Sequence, residues 1–166
     1  MRWEELENEP CSIARSLAVF GDRWTLLLLR ECFMGVKKFA DFQQNLGISK
    51  TIISERLKHL IDHGILEKTA YQQNPPRYKY RLTRKGLDIY PVFLSIARWG
   101  DVYYAGDDGV PMIYTHKACG KPMHAVSSCS ECGEPLDARE VIARPGPGAG
   151  PHARSANDPA LKQKVG

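Results

Sequence analysis

Between Phe39 and Gly64 the apolar positions fall into two helical stripes parted by a glycine. Phe39, Phe42 and Leu46 recur at i, i+3, i+7, and Ile53, Leu57, Leu60 and Ile61 at i, i+4, i+7, i+8, each set on one side of a 3.6-residue helix. Gly47 interrupts the pattern, Ser49 stands where an N-cap oxygen accepts a free backbone N–H, and Gly64 follows the last apolar residue as a C′ glycine does. On the wheel of the second helix Thr51, Ser54, Glu55, Lys58 and Asp62 lie opposite the apolar stripe, with Lys50 on the open first turn. From Ile65 the period drops to two. LEKTAYQQ is followed by Pro75 and Pro76 and then by RYKYRLT, with Tyr78, Tyr80 and Leu82 on one face and Lys79 and Arg81 on the other. The prolines cannot donate to a strand ladder, so they belong to the loop, with Arg77 at its edge. Helix, turn, helix and hairpin predict a winged helix, a mostly α fold with a small β-hairpin (α+β).

The flanks extend this unit. Ile13, Leu17 and Phe20 repeat at i, i+4, i+7 up to Gly21, and Asp22 is placed to cap the next helix. In that helix Trp24, Leu26, Leu27, Leu28, Leu29, Cys32 and Phe33 surround nearly the whole wheel, which marks a central core helix with Cys32 as packing. Beyond the wing, Thr83 is placed to cap a long helix through Leu87, Ile89, Tyr90, Val92, Phe93, Leu94, Ile96, Ala97 and Trp99, kinked or restarted at Pro91. That helix is more apolar than one small winged helix can cover. With the Ile13 helix it predicts a two-fold homodimer that would set two reading helices about one DNA turn apart; the competing reading is a helical cap within one chain.

Charge separates DNA binding from a protein-binding use of the same fold. From Val36 to Lys85 there are eleven Lys and Arg against four Asp and Glu, a surplus of seven, where the whole chain carries only +4. The surplus sits at the start of the second helix and on the wing, where phosphates would lie, which favours double-stranded DNA. With 43% hydrophobic and 25% charged residues in 166, one main domain with a sizeable core is expected. No apolar run approaches the roughly 20 residues that span a bilayer, so no membrane association and a cytoplasmic location are expected. Five cysteines, three of them between Cys119 and Cys132, fit a reducing compartment better than a disulfide framework.

The stretch CSIARSLAVFGDRWTLLLLRECFMGVKKFADFQQNLGISKTIISERLKHLIDHGILEKTAYQQNPPRYKYRLTRKG, continuing to Pro91, Trp99 and Gly100, resembles the HxlR-type family of bacterial transcriptional regulators. The resemblance covers about the first hundred residues and rests on the Cys11 entry, GDRWTLLLLR, the GIS turn with SERL, the NPPRYKYRLT wing and WGD. It implies a dimeric winged-helix protein on a pseudo-palindromic operator, in some members responsive to electrophiles or oxidants through a cysteine near the N-terminus. Cys11 is the redox-sensing candidate here, since backbone N–H groups at a helix start favour a thiolate; the plainer alternative is an inert, buried thiol.

Past Asp101 a second motif pair stands apart from that resemblance. HKACG (His116 to Gly120) and CSECG (Cys129 to Gly133) each read donor, two spacers, donor, glycine, the spacing of zinc knuckles. His116, Cys119, Cys129 and Cys132 would make a closed structural zinc site in a small ribbon, with Met112–Thr115, Met123–Ser127 and Glu140–Ala143 as its short strands. A segment this short buries little core, so a metal would supply the missing cross-link. The rivals are a redox pair at Cys129 and Cys132, which Gly133, Glu134 and Pro135 disfavour by blocking a helix, and a ribbon without metal or with His124 in place of His116.

The expected organisation is an N-terminal arm over 1–10, a DNA-binding and dimerisation domain over 11–105, the zinc-ribbon-like unit over 106–143, and a disordered Gly/Pro/Ser/Ala tail over 144–166. Lys50, Thr51, Ser54 and Lys58 are expected at base edges or groove phosphates, Ser49 as cap and phosphate contact, and Lys38, Arg77 and Lys79 on the backbone. Glu55 either accepts from a cytosine or pairs with Lys58 or His59. A small-molecule inducer is compatible with this reading, and the cleft between the long helix and the Trp24 helix is its expected place. No nucleophile elbow or phosphate-cradling glycine loop is present, so an enzyme is not expected; the alternative is a winged-helix adaptor that binds protein rather than specific DNA.

Overall fold

The computed structural model describes residues 3–150. Two compact units are present, one of residues 16–125 and one formed by residues up to 15 together with those from 126 onward. In chain order the elements are α1 (Trp3–Leu6), α2 (Ser12–Phe20), α3 (Arg23–Phe33), α4 (Phe39–Leu46), α5 (Lys50–Asp62), β1 (Leu66–Gln72), β2 (Arg77–Leu82), α6 (Arg84–Leu87), α7 (Tyr90–Tyr104), β3 (Tyr114–His116) and β4 (Lys121–Met123). This is a winged helix-turn-helix.

The larger unit is built around the stripes read from the sequence. Leu28 and Leu29 of α3, Phe42 of α4 and Ile53, Leu57 and Leu60 of α5 are essentially inaccessible, and Ile65, Leu66 and Tyr80 carry the same core into the hairpin. Each such side chain contributes about 1.5–3 kcal/mol on burial, so three helices and the wing are locked at one junction. Caps set the helix ends. Asp22 accepts from the N–H groups of Trp24 and Thr25 at 3.0 and 3.2 Å, and Ser49 Oγ accepts from Ile52 N–H at 3.3 Å. At the end of α5, Gly64 adopts φ +68°, its N–H donating to Ile61 O and that of Ile65 to Leu60 O, a double closure that needs a left-handed residue. Gly47, at φ +62°, turns α4 towards α5 in the same region of backbone space.

β1 and β2 pair antiparallel from Leu66 opposite Leu82 to Ala70 opposite Tyr78, and then slip so that Gln72 faces Arg77. Tyr71 is the extra residue. A short bridge between Lys38 and Lys79, with Tyr80 N–H donating to Lys37 O at 2.8 Å, ties the hairpin to the entry of α4.

The long helix after Thr83 restarts at Pro91, one of the two expected outcomes: Thr83 caps α6, and α7 starts afresh with Pro91 in its first turn, where a missing N–H costs nothing. Within α6, Gly86 is pressed so close to the hairpin that a Cβ there would stand 2.4 Å from Ile65 O. Within the N-terminal arm, Trp3–Leu6 form the short helix α1. The first two ribbon strands form later and earlier than expected, as β3 and β4, paired from Tyr114 opposite Met123 to His116 opposite Lys121. Residues 140–143 are not a strand, and a lone bridge joins Ser128 to Pro135 instead. Of the expected tail, residues 144–150 carry no helix or strand, and the remainder lies outside the described residues.

Candidate nucleic-acid interface

With Ile53, Leu57 and Leu60 turned inward, α5 leaves Lys50, Thr51, Ser54, Glu55 and Lys58 exposed along its outer side. Ser49 is exposed and already engaged as the cap. Of the partners expected for Glu55, which were a cytosine, Lys58 or His59, Lys58 pairs instead with Asp62 one turn on. An exposed pair of this kind is worth little, about 0.2–1 kcal/mol, so Lys58 is easily recruited by a phosphate. Arg56, counted in the basic surplus, turns the other way. Its Nε lies 3.4 Å from Asp22 Oδ1 and is itself buried, yet it is too poorly aligned for a hydrogen bond there. It braces α5 against the start of α3 and does not belong to the outer face.

The wing adds a second cationic surface. Lys38 and Arg77 are exposed and Lys79 is half-buried. The bulge turns out Tyr71, 41% exposed, and the Lys38 and Lys79 ammonium groups stand 5.9 and 5.4 Å from its ring centroid. Lys38, Tyr71 and Arg77 line one hollow with Phe39 and Pro76. Lys68 lies over the ring of Tyr78 at 3.9 Å. Two cations on one aromatic edge, next to Arg77, make a surface that suits a phosphodiester backbone. Sequence reasoning missed Tyr71 because a bulge carries no periodic signal, and only the strand register reveals it.

Residues 19–108 match the family model of HxlR-like helix-turn-helix proteins, more than half of the chain. The chain belongs to the HxlR-like helix-turn-helix family. A relative in Mycobacterium tuberculosis, Rv3095, named an uncharacterised HTH-type transcriptional regulator, is 39% identical over 137 residues, covering 82% of this chain and 87% of its own length. YdeP of Bacillus subtilis, named in the same way, is 30% identical over 96 residues, covering 57% of this chain and 75% of the relative. Among solved structures, the transcription-factor candidate PA1607 superposes with a TM-score of 0.76 at 30% identity, over 84% of this chain and 98% of that one. The redox regulator HypR in its oxidised form gives 0.51 at 29%, over 55% of this chain and 96% of HypR. This HxlR-like chain is a transcriptional regulator of helix-turn-helix type, and no helix among the described residues is long and apolar enough to cross a membrane.

Of the five cysteines only Cys32 falls inside the HxlR-like segment. It is buried, and burial together with the neighbouring Glu31 carboxylate pushes its thiol up to about 12. That makes it packing. Glu31 is buried too, held by Arg30 at 2.7 Å and by Asn45 Nδ2 at 2.6 Å, a tie between α3 and α4 that the sequence did not announce. Cys11 is exposed, immediately ahead of α2, in a hollow that Arg15 and Arg144 also line.

His116 and Cys119 are exposed in the β3–β4 turn, with Nδ1 and Sγ 3.6 Å apart. In the other unit, backbone N–H groups of Cys132 and then Glu131 donate to the Cys129 sulfur and hold its thiol below the usual range. Among the described residues no three His, Cys, Asp or Glu side chains gather into a ready-made metal cluster. The inducer cleft expected between α3 and α7 has a different counterpart, an open hollow of about 290 Å³ lined by Leu94, Arg98 and Asp101 of α7 and by residues around β3 and β4.

Proposed function

We propose that this regulator acts as a homodimer on a pseudo-palindromic site in double-stranded DNA, with α5 in the major groove and the hairpin on the adjoining backbone. Lys50, Thr51, Ser54 and Lys58 approach base edges or groove phosphates, and Lys38, Arg77 and Lys79 hold the backbone. The observation that carries this reading is the division of α5, whose apolar side is fully buried while its polar and basic side stays open beside a lysine- and arginine-bearing wing.

Dimerisation is supported by α7, in which none of the 15 residues is buried. Val92, Ile96, Trp99 and Tyr103 repeat at i, i+4, i+7, i+11 and are all exposed, as are Ile13 and Leu17 of α2. A stripe of this kind is the surface that a two-fold, isologous interface covers. Oxidant response through Cys11 belongs to the same proposal, supported by the exposure of its thiol and by the likeness to a protein described as a redox regulator.

The test is selection of genomic fragments by the purified protein, followed by fluorescence anisotropy on the selected duplex and a scrambled one across a salt series. A specific-over-random ratio of about a thousandfold or more is expected. Substitution at Thr51 or Ser54 should change which bases are preferred. Weak binding equal on every duplex would overturn the reading in favour of a protein-binding adaptor.

A further inference from the structure

The slip in the hairpin register leaves Tyr71 without a partner across the ladder, because Ala70 faces Tyr78 and Gln72 faces Arg77. Its side chain is 41% exposed. Around it the backbone brings two lysines together. Lys38 stands immediately before α4 and makes no side-chain cap there. The bridge between Lys38 and Lys79, with Tyr80 N–H donating to Lys37 O at 2.8 Å, sets the two like charges opposite one another.

Like charges directly opposite on paired strands are destabilising, and among the described residues neither lysine forms an ion pair. The ring of Tyr71 stands in their place of contact, 5.9 Å from the Lys38 ammonium and 5.4 Å from that of Lys79, close enough to attract both cations. Arg77 lines the hollow that Lys38 and Tyr71 share; Asp41 lines it too, and the three cations in and beside it leave a positive excess. Ordering a long, flexible lysine stem on binding costs affinity. A ring that restrains both stems beforehand removes part of that cost, and an ammonium drawn to a π face keeps N–H donors free for an oxygen.

We infer that Tyr71 is a positioning residue for DNA: its ring holds Lys38 and Lys79 as a pair that receives one backbone phosphate. The inference rests on the proposed reading that the chain binds double-stranded DNA. The phosphate supplies the negative charge that the facing lysines lack within the chain. Because Lys38 leads into α4 and Lys79 lies in the wing, one phosphate contacts the helix-turn-helix and the hairpin together. Such a contact sets register and carries no base preference.

Anisotropy on the selected and the scrambled duplex across a salt series tests this. Tyr71→Phe keeps the ring and should bind within about twofold of the parent. Tyr71→Ala should bind both duplexes about five- to tenfold more weakly at equal salt, with the specific-over-random ratio unchanged. In a Lys38→Met/Lys79→Met background the further change Tyr71→Ala should cost less than about twofold, since no cation is left for the ring to hold. A ring with a purely structural role would cost the same in both backgrounds. Tyr71→Ala binding within about twofold of the parent, a loss of equal size in the double-Met background, or a loss shared by Tyr71→Phe would each overturn the inference. A loss confined to the selected duplex would overturn it too, by placing the ring on a base edge. A parent protein that binds every duplex weakly and equally would instead overturn the DNA reading on which the inference rests, and the inference with it.

Discussion

Two arginines that look equivalent in the sequence should behave differently on DNA. Arg77 is exposed at the edge of the wing, whereas Arg56 turns inward to within 3.4 Å of Asp22. Each phosphate contact contributes about 0.9 to the slope of log affinity against log salt, so Arg77→Ala should flatten that slope by about 0.9. Between about 50 and 200 mM salt the variant should then lose about three- to fourfold less affinity than the parent. Its melting temperature should stay within about 2 °C, because a surface substitution of this kind moves stability by at most about 0.5 kcal/mol. Arg56→Ala should do the reverse. Its side chain and that of Asp22 are each about one-third exposed, 34% and 31%, so solvent screens the pair and its loss costs about 0.2–1 kcal/mol. At roughly 2–4 °C per kcal/mol for a chain of this size, that is a fall of up to about 4 °C in melting temperature. Asp22 keeps its cap on Trp24 and Thr25, so α3 should survive and the salt slope should not change. Anisotropy over a salt series, with thermal unfolding of the same samples, reads both quantities. An Arg56→Ala variant whose slope flattens as much as that of Arg77→Ala would place Arg56 on the DNA and refute the partition of charge argued here.

Further outcomes follow from burial. Trp99, 57% exposed, and Ile96, 48% exposed, lie on the open stripe of α7, so Trp99→Asp with Ile96→Asp should convert the proposed dimer to monomer by sedimentation and lower affinity for its selected duplex without unfolding α5. A variant that stays dimeric would remove α7 from the interface. Cys11 and Cys32 should differ in alkylation at neutral pH, with Cys11 labelled in the folded protein and Cys32 only after unfolding. Cys32→Ser should leave any oxidant response intact and Cys11→Ser should abolish it; release of the Cys11→Ser variant by oxidant would place the sensor elsewhere. Because the Cys32 thiol rises from 9.0 to about 12 in the fold, its contribution to stability is complete below pH 9 and is lost as pH climbs towards 12.

The reading elements were legible because the signals that make them are local. Helical period, the Ser49 and Asp22 caps and the glycines after α4 and α5 are decided by residues within one turn of each other, and each stands where the pattern placed it. The wing was legible for the same reason: alternation and paired prolines need only neighbouring residues. The outer face of α5 could be listed from the wheel, but the use of its charges could not. Whether Lys58 meets Glu55 or Asp62 depends on rotamers, and whether Arg56 faces solvent or Asp22 depends on how α5 lies against α3.

By itself, then, the sequence determined that two helices, a tight turn and a basic hairpin follow one another, since period and capping are properties of adjacent residues. Tertiary structure alone decided how closely α6 lies on the hairpin, because a Cβ at Gly86 would meet Ile65 O. It alone turned Tyr71 out between Lys38 and Lys79, since one slipped residue in the ladder depends on the partner strand. And it alone turned Arg56 towards Asp22, since a charge has no period and finds its partner only when distant segments are packed together.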